Sequence, residues 1–181
     1  MLELKIVDES RAVHYVVLAQ GRRVGEIAQA DFNGLAALRL DGGEYVIRSE
    51  RRAADLARGR RGVLRAVWSR LQADQRYTLL QGEMELARVH SRSSFLRAGA
   101  ITLQPAGEDA GWSVPPPRGF LPSQLSLYRG GAEVGRLEIP GLLRNRILLP
   151  PLLLAVPALV ALGWVVHQSW GNDPYRGAAG A

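Results

Sequence analysis

The sequence predicts an all-β domain, arranged as a barrel or a sandwich, that is followed by one very hydrophobic segment. Three observations support this prediction. About a dozen strand-like stretches precede residue 140, at a spacing of roughly 12 residues. A short hairpin phrase recurs along these stretches. The segment 147–166 then contains twenty residues without a charge. The total length of 181 residues suits a single domain.

The recurring phrase predicts a series of β-hairpins. Each copy has an apolar or aromatic lead-in, a polar residue, a glycine, and then alternating apolar residues. Glycine suits such a turn because it lacks a Cβ atom and adopts positive φ angles without strain. The intervals between the turn glycines are 38, 23 and 48 residues, which excludes a solenoid or a propeller of fixed period. The copies are residues 15–27, 56–67, 77–89 and 125–137, with turns at Gly21, Gly59, Gly82 and Gly130.

Further strands are predicted between these copies. Residues 35–40 and 44–48 flank Asp41-Gly42-Gly43 and predict another hairpin. An apolar run covers 95–103, and a short strand at 112–114 stops at three successive prolines. Residues 49–73 fit either strands or a helix capped by Ser49. Strands are favoured, because Gly59 and Gly62 would each cost a helix about 1 kcal/mol relative to alanine.

The uncharged segment 147–166 has two interpretations. As a helix of twenty residues it would be about 30 Å long, which matches the hydrocarbon core of a bilayer. The chain would then be a single-pass, tail-anchored membrane protein with a cytoplasmic β domain. Alternatively, the helix is apolar all round because protein surrounds it. Pro157 would kink this helix or mark its true start, and a late start leaves too few residues to cross a membrane. The proline content therefore favours the buried helix.

Positive charge is concentrated in one part of the chain. The formal net charge is +6, and residues 51–100 alone carry +7. Arginine supplies 22 of the 23 basic residues, a bias typical of a GC-rich genome, so we expect a bacterial source. An arginine cluster with one tryptophan predicts a surface for anionic phospholipid headgroups, and nucleic acid is the less favoured ligand. The alternative is a solvated barrel face in an arginine-biased composition. The candidate ligand-binding residues are Arg58, Arg60, Arg61, Arg65, Trp68 and Arg70.

No catalytic site, metal site or cofactor is predicted. The chain has no cysteine, and His14, His90 and His167 lack the spacing of metal ligands. No nucleophile elbow, phosphate-binding loop or dinucleotide fingerprint occurs. Residues 1–9 contain acids and lack a basic and an apolar region, so we expect no secretory signal. We therefore expect a monomeric, non-enzymatic, cytoplasmic protein that associates with membranes if the arginine cluster binds lipid.

The final hairpin phrase runs directly into the hydrophobic segment, and this pairing resembles the tubby-like superfamily, which includes the LURP-one-related and phospholipid-scramblase-like proteins. The resemblance rests on residues 126–139 followed by 148–170, and on the phrases that start at Tyr15 and Tyr77. It implies one domain over residues 1–170, folded as a closed antiparallel barrel of about twelve strands. A central hydrophobic helix at about 148–169 and a disordered tail at 171–181 complete the expected arrangement. The implied roles are phospholipid binding, membrane tethering or a scaffold.

Overall fold

A computed structural model describes residues 1–8, 14–29, 35–50, 75–94, 97–116, 123–140 and 146–170. These residues form a closed antiparallel barrel of twelve strands, and the described part of the chain contains one helix. The predicted fold class is therefore confirmed. The expectations for residues 51–74 and for the tail at 171–181 concern residues outside those ranges, and they stay predictions.

The strands follow one another around the barrel in sequence order, and β1 pairs with β12 to close it. Closure pairs the first strand with the last, so neither is left as the free edge of an open sheet, which is a common route to aggregation. The strands are β1 (Leu2–Asp8), β2 (His14–Ala19), β3 (Arg22–Gln29), β4 (Leu35–Leu40), β5 (Gly43–Ser49), β6 (Gln75–Gln81), β7 (Met84–Ser94), β8 (Arg97–Pro105), β9 (Trp112–Val114), β10 (Gln124–Arg129), β11 (Ala132–Glu138) and β12 (Arg146–Leu149). The helix α1 covers Val156–Trp170.

Three copies of the recurring phrase form the predicted hairpins β2–β3, β6–β7 and β10–β11. In the first turn, Gln20 and Gly21 have φ angles of 52° and 81°. Two positive φ angles are typical of the tight hairpin turns that match the twist of β-strands. The fourth copy, residues 56–67, lies outside the described residues.

The three hairpins also share a β-bulge at the same place. In each hairpin, the second strand contains one extra residue that has no partner on the first strand. The residue after this extra residue is glycine or alanine. A Cβ atom on Gly25 would lie 2.2 Å from the carbonyl oxygen of Arg39, so a larger residue does not fit there. Bulges increase the local twist and bend a strand, which helps a sheet close into a barrel. The inserted residues are Val24, Leu86 and Val134, followed by Gly25, Ala87 and Gly135.

Consecutive strands run in opposite directions, so the connections between them lie alternately at one end of the barrel and at the other. We call one the hairpin end, since the turns at 20–21, 41–42, 82–83, 106–111 and 130–131 lie there. We call the other the loop end, and it receives the connections 9–13, 30–34, 50–74, 95–96, 115–123 and 139–145. The connection 50–74, which contains the predicted arginine cluster, is by far the longest of these.

Helix α1 occupies the lumen of the barrel. Its residues 158–167 are buried on every face of the helix. Gly163 faces Leu4 of β1 and Leu149 of β12, whereas the Trp164 ring contacts Tyr77 of β6 with the ring centroids 5.5 Å apart. Strands β12 and β6 lie on opposite sides of the barrel. The aliphatic side chains that point inward from the strands therefore pack around the helix.

The helix begins at Val156 and not near residue 148 as expected. Residues 146–149 are needed as β12, because this strand pairs with both β1 and β11 and closes the barrel. Residues 150–155 then cross the hairpin end and lead into the lumen. Pro157 lies in the first turn of α1, where a missing N–H group has no consequence for helical hydrogen bonds, so it marks the start of the helix. The uncharged segment is thus divided between a strand, a crossing segment and a helix.

No helix within the described ranges is both long enough and apolar enough to cross a bilayer. Helix α1 itself has 15 residues.

Removal of α1 should abolish cooperative folding of the barrel. A chain that ends after Leu152 keeps all twelve strands and lacks the helix, so it exposes the inward aliphatic side chains to water. We expect this variant to aggregate or to bind a hydrophobic dye, and to show no sharp urea transition by circular dichroism. A chain that ends after Trp170 is the control and should unfold as the full chain does. A soluble barrel that unfolds cooperatively without α1 would contradict the packing described above.

The substitution Gly163→Ala tests the close approach of α1 to the barrel wall. At an exposed helical site this change stabilises a protein by about 1 kcal/mol. Here the new Cβ atom would lie 2.6 Å from Leu149 Cδ2 and 3.0 Å from Leu4 Cδ1, and both leucines are fully buried. Overpacking costs about 1–3 kcal/mol, so we expect a net loss in the free energy of unfolding, and a larger loss for Gly163→Val. Stabilisation by Gly163→Ala in urea unfolding would show that the helix has room at this point.

Candidate functional site

The six predicted ligand-binding residues all belong to the connection between β5 and β6, outside the residues that the structure describes. The structure does describe both ends of this connection. The backbone N–H group of Glu50 donates a hydrogen bond to the carbonyl oxygen of Arg76, at 2.8 Å. The connection therefore leaves the barrel and returns to it at neighbouring positions of the loop end.

This connection carries almost all of the net charge of the protein. Residues 51–74 contain seven arginines and two aspartates, a net charge of +5 out of a total of +6. The remaining residues contain 16 basic and 15 acidic groups, so the rest of the chain is close to neutral. Most of the net positive charge therefore belongs to the stretch of sequence that joins β5 to β6.

The outer surface of β5–β7 adds further arginines beside that point. We call this surface the basic face, and it consists of Arg48, Arg76, Arg88 and Arg92, all exposed. Thr78 on β6 lies directly between Arg48 on β5 and Arg88 on β7, and Arg76 lies opposite His90. Directly opposed residues on antiparallel strands point to the same side of the sheet, so these side chains share one surface.

Two carboxylates moderate the charge of the basic face. Glu85 forms a two-point contact with Arg88, with distances of 2.7 Å between Arg88 Nε and Glu85 Oε1 and 2.9 Å between Arg88 NH2 and Glu85 Oε2. The hydrogen bond and charge of Glu85 raise the pKa of the Arg88 guanidinium. Glu50 accepts a hydrogen bond from the Thr78 hydroxyl at 3.0 Å. Four arginines and two glutamates leave the face with a net charge of +2.

The predicted site did not include Arg48, Arg88 or Arg92. Arg48 is 40 positions from Arg88, and the two share one surface only because β5, β6 and β7 are adjacent. The alternation of Arg88, His90 and Arg92 along one strand is the local signal that could have indicated a basic surface, since alternate residues of a strand share a face.

A buried polar cluster lies inside the barrel near the loop end, where α1 ends. His167 Nδ1 and the Tyr15 hydroxyl are 3.1 Å apart, and the two rings meet edge to face. Gln168 Nε2 donates to the same hydroxyl at 3.4 Å, and the hydroxyls of Ser91 and Ser169 are 3.0 Å apart. His167 lies near the end of α1 and is only 2% exposed. These contacts hold the last turn of α1 in register with β2 and β7.

The chemistry available to the basic face is the binding of anions. Guanidinium groups are planar and donate paired hydrogen bonds that match phosphate oxygens. Within the described ranges, no three His, Asp or Glu side chains are grouped so that they could hold a metal ion. The buried polar cluster, in contrast, joins strand to helix and faces the lumen.

Comparison of the chain with known proteins gives no match to a family model, to a curated protein or to a solved structure. The geometry of the basic face and the charge of the adjacent connection are therefore the basis for the function proposed below.

The substitution Tyr15→Phe tests whether the buried polar cluster anchors the helix. It removes the oxygen that contacts His167 and Gln168 in a buried position, so we expect a loss of about 1–2 kcal/mol in the free energy of unfolding. Tyr128→Phe is a matched control, because Tyr128 is half-buried on the outer side of β10, and it should change stability by less than about 0.5 kcal/mol. Urea unfolding of both variants measures the difference. Equal effects would rule out an anchoring role for the Tyr15 hydroxyl.

Proposed function

We propose that the protein is a non-enzymatic barrel of the tubby-like type that binds anionic membrane surfaces through the connection between β5 and β6. The family resemblance is supported by the combination of a closed twelve-strand barrel with a hydrophobic C-terminal helix in its lumen. A cytoplasmic location suits this role, because the cytoplasmic leaflet carries anionic lipids.

One observation carries the proposal. A net charge of +5 is gathered in one connection, and both ends of that connection are fixed beside the basic face. Arginines on an otherwise nearly neutral barrel produce a local field that attracts an anionic surface. A random surplus of arginine would instead be spread over the whole barrel.

The composition of the connection favours a lipid surface over nucleic acid. Trp68 lies among the arginines in the sequence, and tryptophan prefers the boundary between water and the hydrocarbon region. Each Arg near an anionic membrane contributes about 1 kcal/mol to binding, so seven arginines are sufficient for strong association at low ionic strength. If the barrel were only a scaffold that presents this connection to a protein partner, its binding to vesicles would not depend on the charge of the lipids.

Replacement of Arg58, Arg60 and Arg61 by alanine should weaken binding to vesicles that contain phosphatidylglycerol by about 100-fold, at about 1 kcal/mol per residue. Replacement of Arg48, Arg76 and Arg92 should also weaken binding if the basic face touches the same membrane. Co-sedimentation with the vesicles measures the apparent affinity. Salt at about 0.5 M should weaken wild-type binding as well, because it screens charges beyond a few ångström.

The control variant removes three exposed basic residues elsewhere on the barrel, Lys5, Arg23 and Arg146. It loses the same amount of charge, but on strands β1, β3 and β12. Binding should change far less than in the Arg58/Arg60/Arg61 variant. Equal loss in both variants would mean that only the total charge matters, and unchanged binding in the first variant would exclude the connection as the lipid site.

A further inference from the structure

Exposed apolar side chains are concentrated at the hairpin end of the barrel. Leu153 is 93% exposed, which leaves its side chain almost entirely in water. Val156 and Met1 are also largely exposed, although both are apolar. Val134, Pro151 and Ala155 are exposed on the same side of the barrel, whereas Met84, also exposed at this end, lies on the other side, on β7. We call the six residues other than Met84 the apolar tip.

The residues of the apolar tip lie on neighbouring elements at one end of the barrel. Leu2 pairs with Leu149, so Met1 lies beside the start of the crossing segment 150–155. A Cβ atom on Gly135 would lie 3.3 Å from Leu152 Cδ2 and 3.3 Å from a side-chain carbon of Pro150, so β11 touches the same segment. Val134 precedes Gly135 in the bulge of β11. Strands β11, β12 and β1 are consecutive around the barrel, and the crossing segment connects them at their end.

The size of the apolar tip decides between two kinds of occupant. A stable interface between two protein molecules uses about 20–30 residues from each partner, and the tip offers only six. By itself it is therefore too small to make a stable interface with a second copy of the chain. Binding to a lipid bilayer needs no minimum number of contact residues, because each apolar side chain that enters the headgroup region contributes separately to the free energy of binding.

The charge around the apolar tip is compatible with a membrane. Arg22 is exposed at the hairpin end of β3, where it pairs with Ala19 of β2. Ala19 pairs with Leu2, which pairs with Leu149, so Arg22 lies two strands away from β1 and the tip. The carboxylate nearest in sequence to Val134 is Glu133, which accepts a hydrogen bond from Arg136 Nε at 2.8 Å. This contact lowers the pKa of Glu133 and neutralises its charge locally.

We infer that the apolar tip inserts into the boundary between headgroups and acyl chains of a lipid bilayer, with Leu153 as the deepest residue. This inference deepens the proposed membrane function and rests on it, but it concerns the opposite end of the barrel. The tip is centred on β12, and the basic face is centred on β6, across the barrel. The two surfaces thus point away from each other, so a protein that uses both joins two membrane surfaces.

The absence of cysteine allows a direct test. In the full-length chain, Leu153→Cys is labelled with an environment-sensitive fluorophore and mixed with phosphatidylcholine vesicles at about 0.5 M NaCl, where the arginine interactions are screened. We expect a blue shift and an increase in fluorescence. The matched control is Val46→Cys, which lies on the outer wall at β5 and is 38% exposed, and its fluorophore should show no change.

Unlabelled variants keep the result independent of the fluorophore. Leu153→Asp should lower co-sedimentation with the same neutral vesicles at least tenfold, with an unchanged urea midpoint, because residue 153 is exposed. Val46→Asp should bind as the wild type does. If neither the fluorescence at residue 153 nor the binding of Leu153→Asp changes, while salt-sensitive binding to phosphatidylglycerol vesicles persists, the inference about the apolar tip is wrong and the proposed function is unaffected. A fluorescence change that follows protein concentration without vesicles would overturn it in favour of a second copy.

Discussion

The burial of α1 in the lumen is the interaction on which the rest of the structure depends. A barrel of eight strands is already filled by its own side chains, and twelve strands enclose a wider space. A helix with its side chains is about 10 Å across and fills that space. Each large aliphatic residue of α1 that is buried contributes about 1.5–3 kcal/mol, and such residues occur on all sides of the helix, for example Leu159, Leu162 and Val165. The strands in turn satisfy their backbone hydrogen bonds by closing around it.

The direction of α1 gives the barrel two chemically different ends. The chain enters the lumen from the hairpin end, so the crossing segment leaves apolar residues such as Leu153 in water there. The helix ends near the loop end, where its last turn becomes polar and contacts Tyr15 and Ser91. The long arginine-rich connection leaves the barrel at this same end. The inferred apolar contact is therefore a consequence of where the helix enters the lumen, and the proposed electrostatic contact lies at the other end of the barrel.

Much of the fold could be predicted from local patterns. A polar residue and a glycine between apolar strands define each hairpin, and the turn at Gln20 and Gly21 has the backbone angles that this pattern requires. The start of the helix could not be placed so well, because residues 147–149 are as apolar as α1, and what makes them a strand is their pairing with β1 and β11. The pairing with β1 joins Leu2 to Leu149, which are 147 positions apart in the sequence, and no local pattern indicates it.

The candidate site was only partly accessible to sequence reasoning, for the same physical reason. A run of arginines at 51–70 is visible in the sequence, whereas Arg48 and Arg88 meet only through the pairing of β5, β6 and β7. The contact between Tyr15 and His167 spans 152 positions. The topology of the barrel determines long-range contacts of this kind. In the sequence, the three polar residues at 167–169, which follow the apolar run, indicate that the helix ends in a polar environment but do not indicate its partners.

Native-state hydrogen exchange of the α1 amides is the most direct test of the central claim. If the helix is the core of the barrel, the amides of Leu159, Leu162 and Val165 open only when the whole protein unfolds, and their free energies of exchange equal those of buried strand amides such as Val17 and Leu79. The account predicts one common value for helix and strands. A helix that exchanges through a separate opening of much lower free energy, while the strands stay protected, would show that the barrel stands without it and would contradict the account.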